Sequence, residues 1–257
     1  MLIVRYQKDN QIQFGHLEDE KVGPLTNDPF GGEGVRGPLK WSVAEVAFLA
    51  PCQPSKIIGL TNNFIDRVRE QGRGRPNLPT LFLKPPSSVI GPGEAIVLPP
   101  QSQRVEYGAE LGVVIGRRAR HIAPEEVGRY VLGYTCANDV TARDLIEVDE
   151  LWARGKGFDT FCALGPAIAT QVDPTEVVIT CTLNGETRQM SSTHDMLFKV
   201  PQVVAYVSAI MTLLPGDVIL MGSPAGTGPL APGDVVEIEI EGIGKLSNPV
   251  RAEPSSP

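Results

Sequence analysis

Val105-Glu106-Tyr107-Gly108-Ala109-Glu110-Leu111-Gly112-Val113-Val114-Ile115-Gly116 is the stretch on which the reading of the fold turns. Residues 111–115 have the apolar continuity of a strand covered on both faces. With a side-chain period of two, Val105, Tyr107, Ala109 and Leu111 fall on one face, and Glu106, Gly108, Glu110 and Gly112 on the other. An acidic, glycine-lined stripe is therefore expected at the mouth of a buried strand. A carboxylate there is costly unless it is paired, hydrogen-bonded or bound to a cation, and a hard divalent ion is its natural partner. Downstream, Asn138-Asp139-Val140-Thr141-Ala142-Arg143-Asp144 brings further carboxylates, and Lys156 stands between Gly155 and Gly157.

Outward from this stretch, the 257 residues are 42% hydrophobic, enough to bury a substantial core in one main domain. The 27 glycines and 23 prolines are spread between apolar segments and read as the turn punctuation of a strand-rich fold. A net charge of -7 without a basic stripe argues against nucleic acid and against anionic membrane surfaces as partners. Cys52, Cys136, Cys162 and Cys181 stand singly, without metal or redox spacing, and are expected as buried reduced thiols. The amino terminus lacks the apolar run of a signal peptide, and no segment approaches the roughly 18 apolar residues of a membrane span, so a cytoplasmic protein is expected.

Residues 1–52 alternate short strand-like runs with turn clusters and are expected to form a small N-terminal β unit that ends near Pro51 and Pro54. Residues 53–251 are expected to form the main domain, and 252–257 a frayed tail. Ile57-Ile58-Gly59-Leu60 reads as a short buried strand, followed by Asn62-Asn63 as caps for a helical segment carrying Phe64, Ile65 and Val68. Residues 71–76 read as a basic loop, either a lid or a solvated connection. Helices are expected over 124–132, 143–154 and 201–214. Leu214-Pro215-Gly216-Asp217 and Ala231-Pro232-Gly233-Asp234 have the composition of type II turns, the second leading into an alternating strand over 235–240 with glutamates outward.

Taken singly, Glu110 also reads as a surface strand carboxylate, and Asp139 as a turn residue paired with Arg143. Their order in the chain is more specific. Glu110 is followed by Asp139 to Asp144, Lys156-Gly157-Phe158-Asp159, Asn184-Gly185-Glu186-Thr187-Arg188-Gln189 and Gly222-Ser223-Pro224-Ala225-Gly226-Thr227-Gly228, and preceded by Pro79-Thr80-Leu81-Phe82-Leu83-Lys84-Pro85-Pro86. Over about residues 56–250 this arrangement resembles the fumarylacetoacetate hydrolase family. The resemblance implies a mixed, β-rich α+β fold of the β-roll type, usually dimeric, with Mg²⁺ or Mn²⁺ held by two glutamates and an aspartate. It also implies hydrolysis, decarboxylation or isomerisation of small 2-oxo or enol dicarboxylic acids. By position, Glu110 and Asp139 are the implied metal ligands and Lys156 the group that holds or polarises substrate. Arg143, which would pair with carboxylates, and the Ser223 loop are the implied substrate contacts.

Two departures from the family pattern stand out. The family reads Val-Asp-Tyr-Glu-x-Glu-Leu where this chain has Val105-Glu106-Tyr107-Gly108-Ala109-Glu110-Leu111, so one metal glutamate is Gly108. Glu106, on the same expected face, is the candidate replacement. The lid positions that in relatives carry a water-activating histidine and glutamate read Arg67 and Glu70, and a guanidinium cannot act as a base at neutral pH. Glu70 is left as a candidate catalytic group and Arg67 as a substrate-binding cation. His121 and His194 read as ordinary surface or capping residues. An isomerase or decarboxylase of aromatic-catabolism intermediates therefore competes with a metal-poor homologue serving as a ligand-binding or structural subunit.

Overall fold

The computed structural model describes residues 1–32 and 34–254. Two sheets face each other across the main core. The larger runs, in spatial order, Trp41–Ser42, Lys21–Pro24, Gln11–Glu18, Leu2–Lys8, Cys162–Ala169, Val131–Asp139, Ala109–Ile115, Val218–Leu220, Ile57–Thr61 and Thr80–Lys84. The smaller runs Glu186–Ser192, Val178–Leu183, Val235–Ile240, Gly244–Ala252 and Ile96–Leu98. The fold is a mixed, mostly β architecture with a few short helices, as expected. The strands of the N-terminal segment continue the large sheet, because Leu2 and Ile3 pair with Ala169 and Ile168.

Alternation explains why Ala109–Ile115 is central. Leu111, Val113 and Ile115 enter the core between the sheets, against Ile179, Cys181, Ile238 and the helix Val200–Ile210 through Val203 and Val207. Val114 points the other way, into a second cluster with Ile57, Leu164, Val218 and Leu220. All seven residues of the strand are buried, so apolar burial of about 25 cal/mol per Å² acts on both faces. Glu110 and Gly112 share the face of Val114.

The Ile57–Thr61 strand falls where its apolar run placed it, and Gly216 and Gly233 have φ of 86° and 95°, as type II turns require. All four cysteines are free and buried, and burial raises their thiol pKa values. Other expectations need correction. The helix expected over 124–132 is a 3-10 segment, Pro124–Arg129, and Val131 already belongs to a strand. The helix expected over 143–154 is two pieces, Arg143–Asp149 and Ala153–Lys156, broken at Glu150, whose φ is 58°. The third helix stops at Ile210, since Met211 is extended. The last strand runs through Ala252, and 255–257 of the expected tail lie outside the described residues. No helix among the described residues is long and apolar enough to cross a membrane.

Gly59 illustrates the packing beneath the site. A Cβ there would collide with the Phe82 ring across the strand pair Gly59↔Phe82. Gly59→Ala is therefore expected to destabilise the fold by about 1–3 kcal/mol, the usual cost of overpacking. Chemical denaturation will check it, and an unchanged midpoint would refute this account of the contact.

Candidate functional site

Four charged side chains meet where three strand ends and one helix end converge. Glu110 lies near the start of Ala109–Ile115, Asp139 ends Val131–Asp139, Lys84 ends Thr80–Lys84, and Lys156 ends Ala153–Lys156. All four are at most 5% exposed. Lys84 Nζ donates to Asp139 Oδ1 at 2.8 Å and to the Val140 carbonyl at 3.0 Å. Lys156 Nζ donates to Asp139 Oδ2 and, at 2.7 Å, to Thr141 Oγ1. The same ammonium lies 4.3 Å from the Phe82 ring centroid and 5.9 Å from that of Trp152, within reach of cation–π attraction. Asp139 is thus not paired with Arg143, four residues on.

Glu110 is held differently. The strand Val218–Leu220 lies antiparallel beside Ala109–Ile115, and its continuation carries Gly222 past the carboxylate. The Gly222 N–H donates to Glu110 Oε2 at 2.6 Å. Gly222 has a φ of 87°, and a Cβ there would lie 2.9 Å from Asn63 Cβ, so this turn requires glycine.

Burial and charge set the protonation of the cluster. Desolvation, reinforced by the Asp139 charge, raises the Glu110 pKa well above the usual carboxylate value. Desolvation also acts on Asp139, but Lys156 and Lys84 outweigh it and hold its pKa below the usual value. Lys156 is pushed down to about 8, first by burial, with the neighbouring Lys84 charge acting in the same direction against the opposing pull of Asp139.

Glu110, Asp139 and Lys156 line a solvent-open cleft, whose walls also include Gly108, Arg67 and Arg143. Ser223 also lines it, its hydroxyl accepting from Gln189 Nε2 at 2.9 Å. On the helix Ile65–Glu70, Arg67 Nη1 donates to Glu70 Oε2, while Glu70 Oε1 accepts from the Gly226 N–H at 3.0 Å. Asp66 accepts from the Ala225 N–H at 3.3 Å. Glu70 itself is not among the cleft residues, and both of its oxygens are engaged.

Glu106 lies elsewhere. Its carboxylate accepts from Arg143 Nε at 3.1 Å and pairs with Arg104 Nη2 at 2.7 Å, and it does not line the cleft. Strict alternation places it on the stripe of Glu110, but the strand breaks between Val105–Glu106 and Ala109–Ile115. Tyr107 and Gly108 both face the cleft, which one continuous strand would not permit. Lys84 is the member of the cluster that sequence reasoning missed. Its signal is parity with Phe82, since both face inward on a strand whose other positions are more exposed.

The divalent ion implied by the resemblance can be tested on the donor set. Among the described residues, no three His, Cys, Asp or Glu side chains converge as a metal site would need. Both Asp139 oxygens are taken by ammonium groups, Glu106 is taken by arginines, and the third place is Gly108. The residues present therefore do not make up a three-carboxylate site.

Comparison with known proteins agrees with this fold. The description "Fumarylacetoacetate (FAA) hydrolase C-terminal" matches residues 56–251, and "Rv2993c-like, N-terminal" matches residues 1–51. The chain belongs to the fumarylacetoacetate hydrolase family. It is 44% identical over 225 residues to human mitochondrial oxaloacetate tautomerase FAHD2B, covering 82% of this chain and 71% of that one. Its fold superposes with a TM-score of 0.92 on 5-carboxymethyl-2-hydroxymuconate delta-isomerase from Mycobacterium smegmatis, 39% identical, over 98% of this chain and 100% of the other. A maleylpyruvate hydrolase from Sphingobium sp. SYK-6, solved with manganese (II) and pyruvate, is 27% identical at a TM-score of 0.82, over 99% and 100%.

Proposed function

We propose that this protein is an isomerase that catalyses a keto–enol shift in a small 2-oxo dicarboxylic acid. The observation that carries the proposal is the grouping of Lys156, Glu110 and two arginines around one cleft, with Glu70 bound up outside it. A keto–enol shift needs a cation beside the oxygen and a group that moves one proton between oxygen and carbon. In this reading Lys156 holds the enolate oxygen, Glu110 carries the proton, and Arg67 and Arg143 receive the carboxylates. The proton lost from the enol oxygen is the one gained by carbon, so water is not consumed. Hydrolysis, also implied for the family, is not favoured, because it needs an activated water and Arg67 with Glu70 does not supply its base. Because the donor set falls short, Mg²⁺ or Mn²⁺ carries no step in this proposal. The two named isomerising relatives support the reaction type.

The test is the decay of freshly dissolved enol-oxaloacetate, followed by ultraviolet absorbance, with 5-carboxymethyl-2-hydroxymuconate as a second substrate. Acceleration over buffer is expected for at least one of them. If neither is accelerated while oxalate still binds, the ligand-binding-subunit reading, which Gly108 favours, takes its place. Arg67→Ala is expected to raise KM roughly 10- to 100-fold, the worth of one charged hydrogen bond, with a smaller effect on kcat. An unchanged KM would remove Arg67 from substrate binding. The homodimer implied by the family belongs to the same proposal and is read by light scattering.

A further inference from the structure

The geometry points to Gly108 as the residue that frees this site from divalent metal, the positive charge that faces the substrate coming instead from Lys156, with Arg67 and Arg143 beside it. Several observations combine. Gly108 does not have a positive φ, so its backbone would accept any L residue, and the missing side chain is what distinguishes the position. A Cβ there would lie 3.3 Å from the Asp139 carbonyl oxygen and 3.4 Å from Ser223 Cβ and Oγ, a tight fit that asks its neighbours to give by a few tenths of an ångström, on the wall of the cleft beside Glu110 and Asp139. Glu106 cannot stand in, because both arginines would have to let it go.

Charge gives the same answer. The Asp139 carboxylate is already balanced by two ammonium groups, those of Lys84 and Lys156. A divalent cation coordinated by Asp139 would sit beside the two ammonium groups that already hold its oxygens, without a third carboxylate to offset the repulsion. Anionic substrate instead meets Lys156 directly, flanked by Arg67 and Arg143. The turnover half of this inference rests on the isomerase reading; the binding half does not.

The experiment titrates metal-stripped protein with Mn²⁺, reading free Mn²⁺ by electron paramagnetic resonance, for the wild type, Gly108→Glu and the uncharged Gly108→Gln. The wild type and Gly108→Gln are expected to bind no Mn²⁺ into the millimolar range, and Gly108→Glu to gain a site at least about tenfold tighter. Wild-type turnover of enol-oxaloacetate is expected to survive chelation within about twofold. Submillimolar binding by the wild type, or chelator-sensitive turnover restored by Mn²⁺, overturns the inference. Failure of a folded Gly108→Glu to bind better than Gly108→Gln overturns the role of Gly108. If Gly108→Glu does not fold, Gly108→Asp replaces it in the same comparison, and its binding supports or overturns that role in the same way. If the wild type turns over neither substrate with or without metal, the isomerase reading fails, and the Mn²⁺ titrations still decide the binding half.

Discussion

Lys156→Met is expected to lower kcat by roughly 10²- to 10⁴-fold while leaving a folded protein. Methionine has nearly the length of lysine and can keep the packing against Phe82 and Trp152. Asp139 would still hold Lys84, so its charge remains paired. What disappears is the one ammonium of the cluster that also lines the cleft, since Lys84 is buried behind Asp139 and is not among the lining residues. Circular dichroism and a thermal melt establish the fold, and the enol-decay assay reads turnover. A variant that retains more than about a tenth of wild-type kcat would show that Lys156 does not face the reacting oxygen.

The second large effect concerns stability. Asp139→Ala removes the acceptor of two buried ammonium groups at once. Breaking a buried pair by deleting one partner costs about 3–5 kcal/mol, because the remaining charge stays desolvated. Here two charges are left, and Glu110 can offset only part of the loss. A destabilisation at or above that range is expected in urea unfolding. Double replacement, Asp139→Ala with Lys84→Met, is expected to recover part of it by removing one stranded charge. A midpoint within error of the wild type would show that the lysines find other partners or lose their protons at little cost.

The site is legible in the sequence as far as each residue carries its own signal. Glu110 stands in a buried strand, Asp139 and Lys156 in ordered motifs, and the structure brings all three to one cleft. Glu106 departs from its expected place because alternation holds only while pairing is continuous. Tyr107 hydrogen-bonds its backbone to Gly228, Gly108 bonds to the Asn138 side chain, and the two-residue period is lost between them. The arginines that claim Glu106 come from positions 104 and 143, and only the second stands in one of the ordered motifs. Residues 124–132 carry a real start signal, but strand pairing of Val131 with Ile115 overrides local helix preference. Arg143 does pair with a carboxylate, and the partner is Glu106.

The strand Val218–Leu220 lies between Ala109–Ile115 and Ile57–Thr61 and runs parallel to the latter. The two halves of the cleft wall are therefore joined by a piece of chain made more than a hundred residues after either of its neighbours. On the ribosome, the hairpin Ile57–Thr61 with Thr80–Lys84 must wait, its inner edge exposed, until synthesis has passed residue 220. Such non-local closure makes folding slow and leaves an open edge available to other chains in the interval.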